Sequence, residues 1–194
     1  MVGRSSHSAS RKRAWTLIVL LAGAAGWSPA SRAADNEVSL EHRVKAAFLY
    51  KIAGYVEWPE KVFPAKDTPL AIGVAGAEPL AEELARIAKD RRANDRAIRV
   101  KRVKFQEALD GLHVIFVGRE HRNRVKELVP GALQRSVLVV TEWESALTQG
   151  SMVNFIIVDG RVRFEVALET AHKAGLKLSS RLLAVAHHVY SGAP

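Results

Sequence analysis

The sequence predicts an α/β fold, a layered single domain with a mostly parallel sheet, a C-terminal antiparallel hairpin and helices on both faces of the sheet. Two observations support this prediction. Between residues 70 and 149, apolar segments of strand length alternate with segments of helical periodicity, as in a parallel sheet with crossover helices. In the segment 150–166, two apolar runs flank Asp159-Gly160, a dipeptide typical of two-residue hairpin turns.

Residues 1–33 have the pattern of a signal peptide. Four basic residues precede an apolar run at 14–26, and small residues follow this run up to Ala33. The alternative is an uncleaved membrane anchor, but the run is shorter than the ~20 residues that span a bilayer. We therefore expect cleavage near Ala33, one exported domain over residues 34–194, and no membrane span in the mature protein.

The formal net charge of +9 is partly a property of this leader. Residues 1–33 contain five of the 29 Lys and Arg residues and none of the 20 acidic residues, so the exported part carries about +4. This modest charge removes most of the support for a nucleic-acid partner. The chain contains no cysteine, so its core rather than disulfides must stabilise it.

The first predicted helix covers residues 40–55 and follows a polar lead-in at 35–39. Apolar residues recur there at three- and four-residue spacing, Ser39 is a plausible N-cap, and Pro59 prevents the helix from continuing. The wide apolar stripe indicates a helix packed on the sheet. One face of this helix cannot bury all of the nearby aromatic residues, which are Phe48, Tyr50, Tyr55, Trp58 and Phe63. Two alternatives remain open: some anchor a partner, or all pack under the following loop.

The elements that follow alternate along the chain. Strands are predicted at 70–75, 98–103, 113–117 and 136–141, helices at 79–89 and 121–133, and short helical turns at 105–109 and near Ser145. After the hairpin, two helices are predicted at 168–175 and 179–190, separated at Gly175, with Ser179 or Ser180 capping the second.

The hairpin turn fixes a register by counting. If Asp159 and Gly160 form a type I′ loop, Phe155 faces Phe164, and the side chains divide onto two faces. One face is apolar and is expected to lie in the core: Val153, Phe155, Ile157, Val162, Phe164 and Val166. The other face is mixed: Asn154, Ile156, Val158, Arg161, Arg163 and Glu165. On it, Asn154, Arg163 and Glu165 are expected within hydrogen-bonding reach.

Signals for catalysis are weak. Residues 73–76 contain two glycines at a strand end, but the pattern of a nucleotide-binding loop is incomplete, which favours a simple strand-to-helix turn. His187 and His188 are adjacent on a predicted helix and so point in different directions, which does not suit one metal ion. No Gly-x-Ser-x-Gly motif occurs in residues 34–194. We therefore expect no enzymatic activity, no metal and no cofactor.

Basic residues cluster around the second predicted strand: Arg91, Arg92, Arg96, Arg99, Lys101, Arg102 and Lys104. Because basic side chains alternate onto both faces of this strand, the pattern suits a solvent-exposed edge strand that is protected against pairing. The alternative is a phosphate-rich or membrane-surface partner.

Several segments resemble the YfiR family of exported bacterial proteins. They are VKAAFLYK at 44–51, VEWP at 56–59, NDRAI at 94–98, HVIFVG at 113–118, MVNF at 152–155, RVRFE at 161–165 and AGLKLSSRLL at 174–183. The resemblance implies a periplasmic, non-enzymatic α/β domain that dimerises. The best-known member restrains an inner-membrane diguanylate cyclase and so limits cyclic di-GMP and biofilm formation. Members often have a cysteine where this chain has Leu112, so control through disulfides is not available here.

Two functional classes follow. The first is a regulator that binds an inner-membrane sensor protein, such as a diguanylate cyclase or a kinase. The alternative is a periplasmic small-ligand binding or sensor protein. The candidate partner- or ligand-binding residues are Asn154, Arg163, Glu165, Tyr50, Tyr55, Trp58 and Arg181. The hairpin face is favoured as the binding surface, because charged residues occupy a strand whose other side is core.

Overall fold

The computed structural model describes residues 29–105 and 109–192. Most of the predicted signal peptide and the middle of the predicted turn at 105–109 therefore lie outside the described residues. Within them, the strands are β1 Val56–Glu57, β2 Leu70–Ala75, β3 Arg92–Ala93, β4 Arg96–Arg102, β5 Val114–Val117, β6 Leu138–Thr141, β7 Val153–Val158, β8 Arg161–Ala167, β9 Lys177–Leu178 and β10 His188–Tyr190. The α-helices are α1 Pro29–Gly54, α2 Glu78–Ala88, α3 Val125–Arg135, α4 Leu168–Lys173 and α5 Ser180–Val185. Short 3₁₀ helices cover Glu60–Val62, Arg119–His121 and Leu147–Gln149.

The predicted α/β fold is confirmed. Eight strands form one sheet in the order β10-β8-β7-β6-β5-β2-β4-β3, and β1 pairs with β9 in a second, two-stranded sheet. Strands β4, β2, β5, β6 and β7 are mutually parallel, while β8 turns back antiparallel to β7. Every residue of β2, β5 and β6 is buried, which explains why these strands read as continuous apolar runs.

The chain reverses its direction across the sheet between β2 and β5. From β2 it moves to β4 on one side, and it then returns to β5 on the other side of β2. The loops that leave these strands are in close contact, because Gly118 N–H donates to the Ala75 carbonyl at 2.7 Å. A Cβ atom on Gly118 would overlap the carbonyl group of Gly76. Gly76 has φ +67°, a conformation that favours glycine, so the predicted strand-to-helix turn is confirmed. Gly76 is thus required by its backbone conformation and Gly118 by the lack of space for a side chain.

The first helix is longer than predicted. α1 begins at Pro29 rather than near residue 40, so Ser39 lies inside the helix and is not its N-cap. The stretch 30–38 contains neither Gly nor Pro and includes several alanines, so its polar residues do not interrupt the helix. α1 ends at Gly54, close to the predicted end at residue 55, and Val56 begins β1.

The hairpin confirms the predicted register. Phe155 lies opposite Phe164, and all six predicted pairs from Val153–Val166 to Val158–Arg161 occur. Asp159 and Gly160 both have positive φ, 49° and 68°, as a type I′ loop requires. Phe48 of α1 packs on both phenylalanines, with ring centroids 6.3 Å from Phe155 and 5.7 Å from Phe164.

Ile157 is an error in the predicted core. It lies on the apolar face, but 47% of its surface is exposed, although Val162 directly opposite it is buried. The alternation of a strand identifies the face of a residue, whereas its burial depends on what packs above it.

The C-terminal segment also differs from prediction. α5 ends at Val185, and residues 188–190, which lie in the predicted helix, form β10 and pair in parallel with β8. The predicted cap at Ser179 is confirmed, since its hydroxyl accepts a hydrogen bond from Leu182 N–H at 3.3 Å. Val189 and Tyr190 are β-formers, and the unpaired edge of β8 overrides the short helical pattern.

The Phe155–Phe164 pair gives a prediction for stability. Phe155→Ala is expected to lower the free energy of unfolding by about 3–5 kcal/mol, because it leaves a cavity between α1 and the hairpin. Ile157→Ala, on the same strand face but exposed, is the matched control and should cost less than about 1 kcal/mol. Urea unfolding of both variants measures the difference. Equal losses for the two variants would show that Phe155 does not pack between α1 and the hairpin.

Candidate functional site

Three of the predicted site residues lie next to one short strand pair. β1 and β9 pair with Val56 opposite Leu178, and Ser179 N–H donates to the Tyr55 carbonyl at 3.0 Å. Tyr55 and Trp58 flank β1, and Arg181 follows β9 by three residues. Tyr55 and Arg181 are exposed, whereas Trp58 is half-buried. We call the region of this strand pair, with Tyr55, Trp58 and Arg181 next to it in the chain, the β1–β9 end.

An aromatic cluster that contains His113 lies behind Trp58. The ring of Phe63 stacks on the His113 imidazole, with centroids 4.4 Å apart, and Trp58 approaches that imidazole edge-on. The indole N–H of Trp58 donates to the His113 carbonyl at 3.2 Å. Arg96 places its guanidinium 3.8 Å from the centre of the Phe63 ring and donates to three carbonyl groups of residues 65–68. The cluster thus fixes the loop after β1 against the sheet.

His113 is neutral in this environment. Burial lowers its pKa below the usual 6.5, and the positive charges of Arg96 and Lys101 lower it further, against a backbone hydrogen bond at Val62. Its Nδ1 accepts a hydrogen bond from Ala71 N–H at 3.0 Å, so this nitrogen carries no proton. Protonation of Nδ1 would replace this hydrogen bond with a repulsive contact between two donors.

The hairpin face holds Asn154, Arg163 and Glu165 in different ways. Asn154 is 1% exposed, and its Oδ1 accepts hydrogen bonds from the Thr141 hydroxyl and from Trp143 N–H. Glu165 is half-buried and accepts from the Tyr190 hydroxyl at 3.3 Å, while Arg163 is exposed. Among the described residues, no hydrogen bond or ion pair joins these three side chains to one another or to the β1–β9 end.

Tyr50, the remaining candidate, lies away from both surfaces. Its hydroxyl donates to the Arg92 carbonyl at 3.3 Å, and the Arg91 guanidinium lies 5.5 Å from the centre of its ring. Tyr50 therefore joins α1 to the basic segment that leads into β3 and β4. The prediction that the basic strand at 98–103 lies at a sheet edge is confirmed, since within the described residues the two-residue strand β3 is all that pairs with the outer side of β4.

A buried ion pair, absent from the sequence prediction, joins α1 to the end of β6. Lys45 is 1% exposed, and its Nζ lies 2.6 Å from Oε2 of Glu142 and also contacts Glu41. Burial would raise the pKa of Glu41, but the hydrogen bond and charge of Lys45, together with the charge of Arg119, lower it overall. Two signals could have revealed the pair. Lys45 lies on the stripe of the buried residues Leu49 and Ile52, and Glu142 directly follows a buried strand.

A cleft opens at the carboxyl ends of the parallel strands, where the strand order reverses. It measures about 510 Å³ and is lined by the first turn of α2, by Lys104 and Phe105 after β4, by Glu120 and His121 after β5, and by Glu142 and His42. Ligands of open α/β sheets commonly bind at such a reversal. The cleft is open and its lining is about equally polar and apolar, and within the described residues no group of three His, Asp or Glu side chains is arranged to hold a metal ion.

The neutral state of His113 predicts a pH dependence. Its pKa is lower in the folded chain than in the unfolded chain, so the unfolded chain takes up the proton more readily. The free energy of unfolding should therefore be highest above about pH 6.5 and fall as the pH drops below that value. Urea unfolding at pH 7.5 and at pH 5.5 tests this. His113→Gln should flatten the pH dependence, while His172→Gln, which changes an exposed side chain, should retain it. A slope that is unchanged in His113→Gln would assign the pH dependence to another group.

The buried ion pair predicts a large loss of stability when one partner is removed. Lys45→Met leaves the carboxylate of Glu142 buried without its cation and is expected to cost about 3–5 kcal/mol in unfolding. Lys173→Met, which breaks the exposed pair with Glu169, is the control and should cost less than about 1 kcal/mol. If Lys45→Met costs no more than the control, the pair is not energetically significant.

Comparisons with known proteins agree with this architecture. Residues 42–187 match the family model described as YfiR/HmsC-like. Among solved structures, a conserved domain protein from Vibrio cholerae matches with a TM-score of 0.54 and 13% identity, over 77% of this chain and 60% of that protein. At this identity the likeness concerns the fold alone, and the chain spans less than two thirds of the length of that protein. No curated protein matches the chain.

The described part of the chain also has no helix that is both long and apolar enough to cross a membrane. Proteins of the matched family are periplasmic regulators and are generally not catalytic. The match covers β1 to α5 completely and the second half of α1, so it includes both of the surfaces that carry predicted site residues. The chain belongs to the YfiR/HmsC-like family.

Proposed function

We propose that this chain is a non-enzymatic periplasmic regulator that binds the periplasmic part of an inner-membrane signalling protein, such as a diguanylate cyclase, and restrains it. Restraint lowers cyclic di-GMP output. The match to the YfiR/HmsC-like model over residues 42–187 is the observation that carries this proposal. A homodimer is part of it, because the family resemblance implies one.

A regulator without catalytic groups acts only by binding one state of its partner better than another. Its binding surface must therefore be accessible in the folded domain. Tyr55 is 36% exposed and Arg181 is also exposed, and the pairing of β1 with β9 holds them at one end of the domain. Exposed Tyr and Arg side chains are favoured as anchors of protein interfaces.

The hairpin face is less suited to this role than its sequence suggests. Asn154 is 1% exposed and its side-chain oxygen is used internally, so a partner could reach only Arg163 and part of Glu165. Glu165 is in turn bonded to Tyr190. We therefore place the partner-binding surface at the β1–β9 end, with the hairpin face as the alternative surface.

A second candidate function is small-ligand binding, as in a periplasmic sensor protein. The open cleft of about 510 Å³ at the reversal of strand order is the observation that favours it. The two functions are compatible, since a ligand could change the affinity for the partner. A neighbouring gene for a membrane protein with a GGDEF or kinase domain would support the regulator, and one for a transporter or an outer-membrane receptor would support the ligand-binding protein.

The surface assignment predicts the effect of two substitutions in cells that carry a cognate cyclase. The double variant Tyr55→Ala, Arg181→Glu should bind the partner at least about tenfold more weakly, which is a loss of roughly 1.4 kcal/mol, and so raise cyclic di-GMP. Trp58→Ala is unsuitable for this test, because its indole also bonds the His113 carbonyl inside the domain. Nucleotide levels are compared in strains matched for the amount of folded protein.

Arg163→Glu is the matched control, since it reverses an exposed charge on the hairpin face. It should leave cyclic di-GMP at the parental level. The opposite pattern, with a rise for Arg163→Glu and none for the double variant, would make the hairpin face the interface. Full restraint by both variants would reject both surfaces.

A further inference from the structure

The outer edge of β4 is mostly uncovered. β3 pairs with only its first two residues, Ala93 opposite Arg96 and Arg92 opposite Ala97. Along residues 98–102, no strand of the described chain lies on the side away from β2. Five residues of a strand correspond to roughly 17 Å of open edge.

The hydrogen bonds between β4 and β2 show which backbone groups of β4 point outward. Val103 N–H donates inward to the Val74 carbonyl at 3.0 Å. Because the N–H and C=O of successive residues in a strand alternate between its two sides, Ile98, Val100 and Arg102 direct theirs outward. These groups can form hydrogen bonds with an added strand.

A groove runs beside this edge on the face covered by α2. It measures about 530 Å³, and its floor includes Ala85, Ala88, Ile98 and Val100. The segment 89–92, which contains three basic residues and Asp90, lines its rim. Tyr50 supports the rim, because its hydroxyl bonds the Arg92 carbonyl and its ring lies under Arg91. Contacts within the domain thus hold the rim in place, and the apolar floor of the groove suits small apolar side chains.

The opposite face of the edge is positively charged. Arg99 and Lys101 are exposed, and neither forms an ion pair within the described residues. Arg102 differs, since it lies on the α2 face and contacts Glu78 at 2.7 Å and Glu82 at 3.3 Å. An added strand would place every second side chain next to Arg99 and Lys101, and the others over the groove.

We propose that this edge binds an extended segment of the partner by strand addition, and that the segment alternates apolar and acidic residues. The apolar side chains lie over the groove beside α2, and the acidic side chains lie next to Arg99 and Lys101. Strand addition takes its affinity from main-chain hydrogen bonds and its specificity from alternate side chains. A second copy of this chain is disfavoured at the edge, because pairing would oppose like charges. The inference rests on the proposed function only in that a protein partner supplies the segment.

A designed peptide tests the edge directly. The probe is a fluorescent peptide of about eight residues in which glutamate and valine alternate, and its binding to the purified protein is measured by anisotropy. The expected result is saturable binding that weakens at least tenfold in the double variant Arg99→Glu, Lys101→Glu. Arg122→Glu with Lys126→Glu, which reverses two exposed charges elsewhere, should bind the probe as the parent does.

Two further measurements separate strand addition from simple charge attraction. Val100→Pro removes one outward N–H without removing a hydrogen bond to β2, and should weaken binding at least tenfold. The same peptide, N-methylated at alternate amides, has the same charge and should also bind at least tenfold more weakly. Hydrogen exchange should show added protection of the Val100 and Arg102 amides when the unmodified peptide is present.

Three results would overturn the proposal. One is that the peptide does not bind the purified protein. Another is equal binding of the methylated and unmethylated peptides, which would indicate attraction to any polyanion or anionic surface. A third is protection of the Val100 amide without peptide in a protein that self-associates, which would assign the edge to a second copy. Because these experiments contain no cyclase, their failure leaves the cyclic di-GMP test of the proposed function unaffected.

Discussion

The position of α1 depends on the compensation of one buried charge. Lys45 has almost no contact with water, and two carboxylates, Glu41 on its own helix and Glu142 after β6, surround its ammonium group. Burying one of these charges without its partner would cost far more free energy than the complete pair contributes to stability. The main effect of the pair is therefore to restrict the position of α1. With Lys45 placed, Phe48 reaches the hairpin and Tyr50 reaches the basic edge. The hairpin and the basic edge are thus both positioned by contacts with one helix.

The sequence predicts best where a structure is decided locally. The hairpin register depends on two turn residues and on the alternation of a strand, so the sequence alone places Phe155 opposite Phe164. Burial is a tertiary property, and for that reason the alternation assigns Ile157 to the core although 47% of its surface is exposed. β10 escapes prediction for a related reason. A short segment with weak helical periodicity becomes a strand because β8 has a free edge beside it.

The candidate site is predictable only in part, because side-chain partners distant in sequence decide what remains accessible. Asn154 has a polar side chain on a mixed strand face, yet Thr141 and the backbone of Trp143 use it internally. Tyr55 and Arg181, separated by more than a hundred residues, both lie beside a pair of short strands that carry almost no sequence signal. The sequence identifies His113 only as the first residue of a buried strand, and its importance emerges from the aromatic rings and the arginine that pack around it.

The close contact between the loops after β2 and β5 has a consequence for genetics. Gly118 has no room for a side chain, because its Cβ would occupy the space of the Gly76 carbonyl. Any substitution at this codon must separate the two central strands at their carboxyl ends. A random screen for alleles that lose regulation will therefore recover changes at Gly118 that touch no partner. Such alleles are expected to be recessive and poorly expressed, whereas interface alleles should accumulate to normal levels.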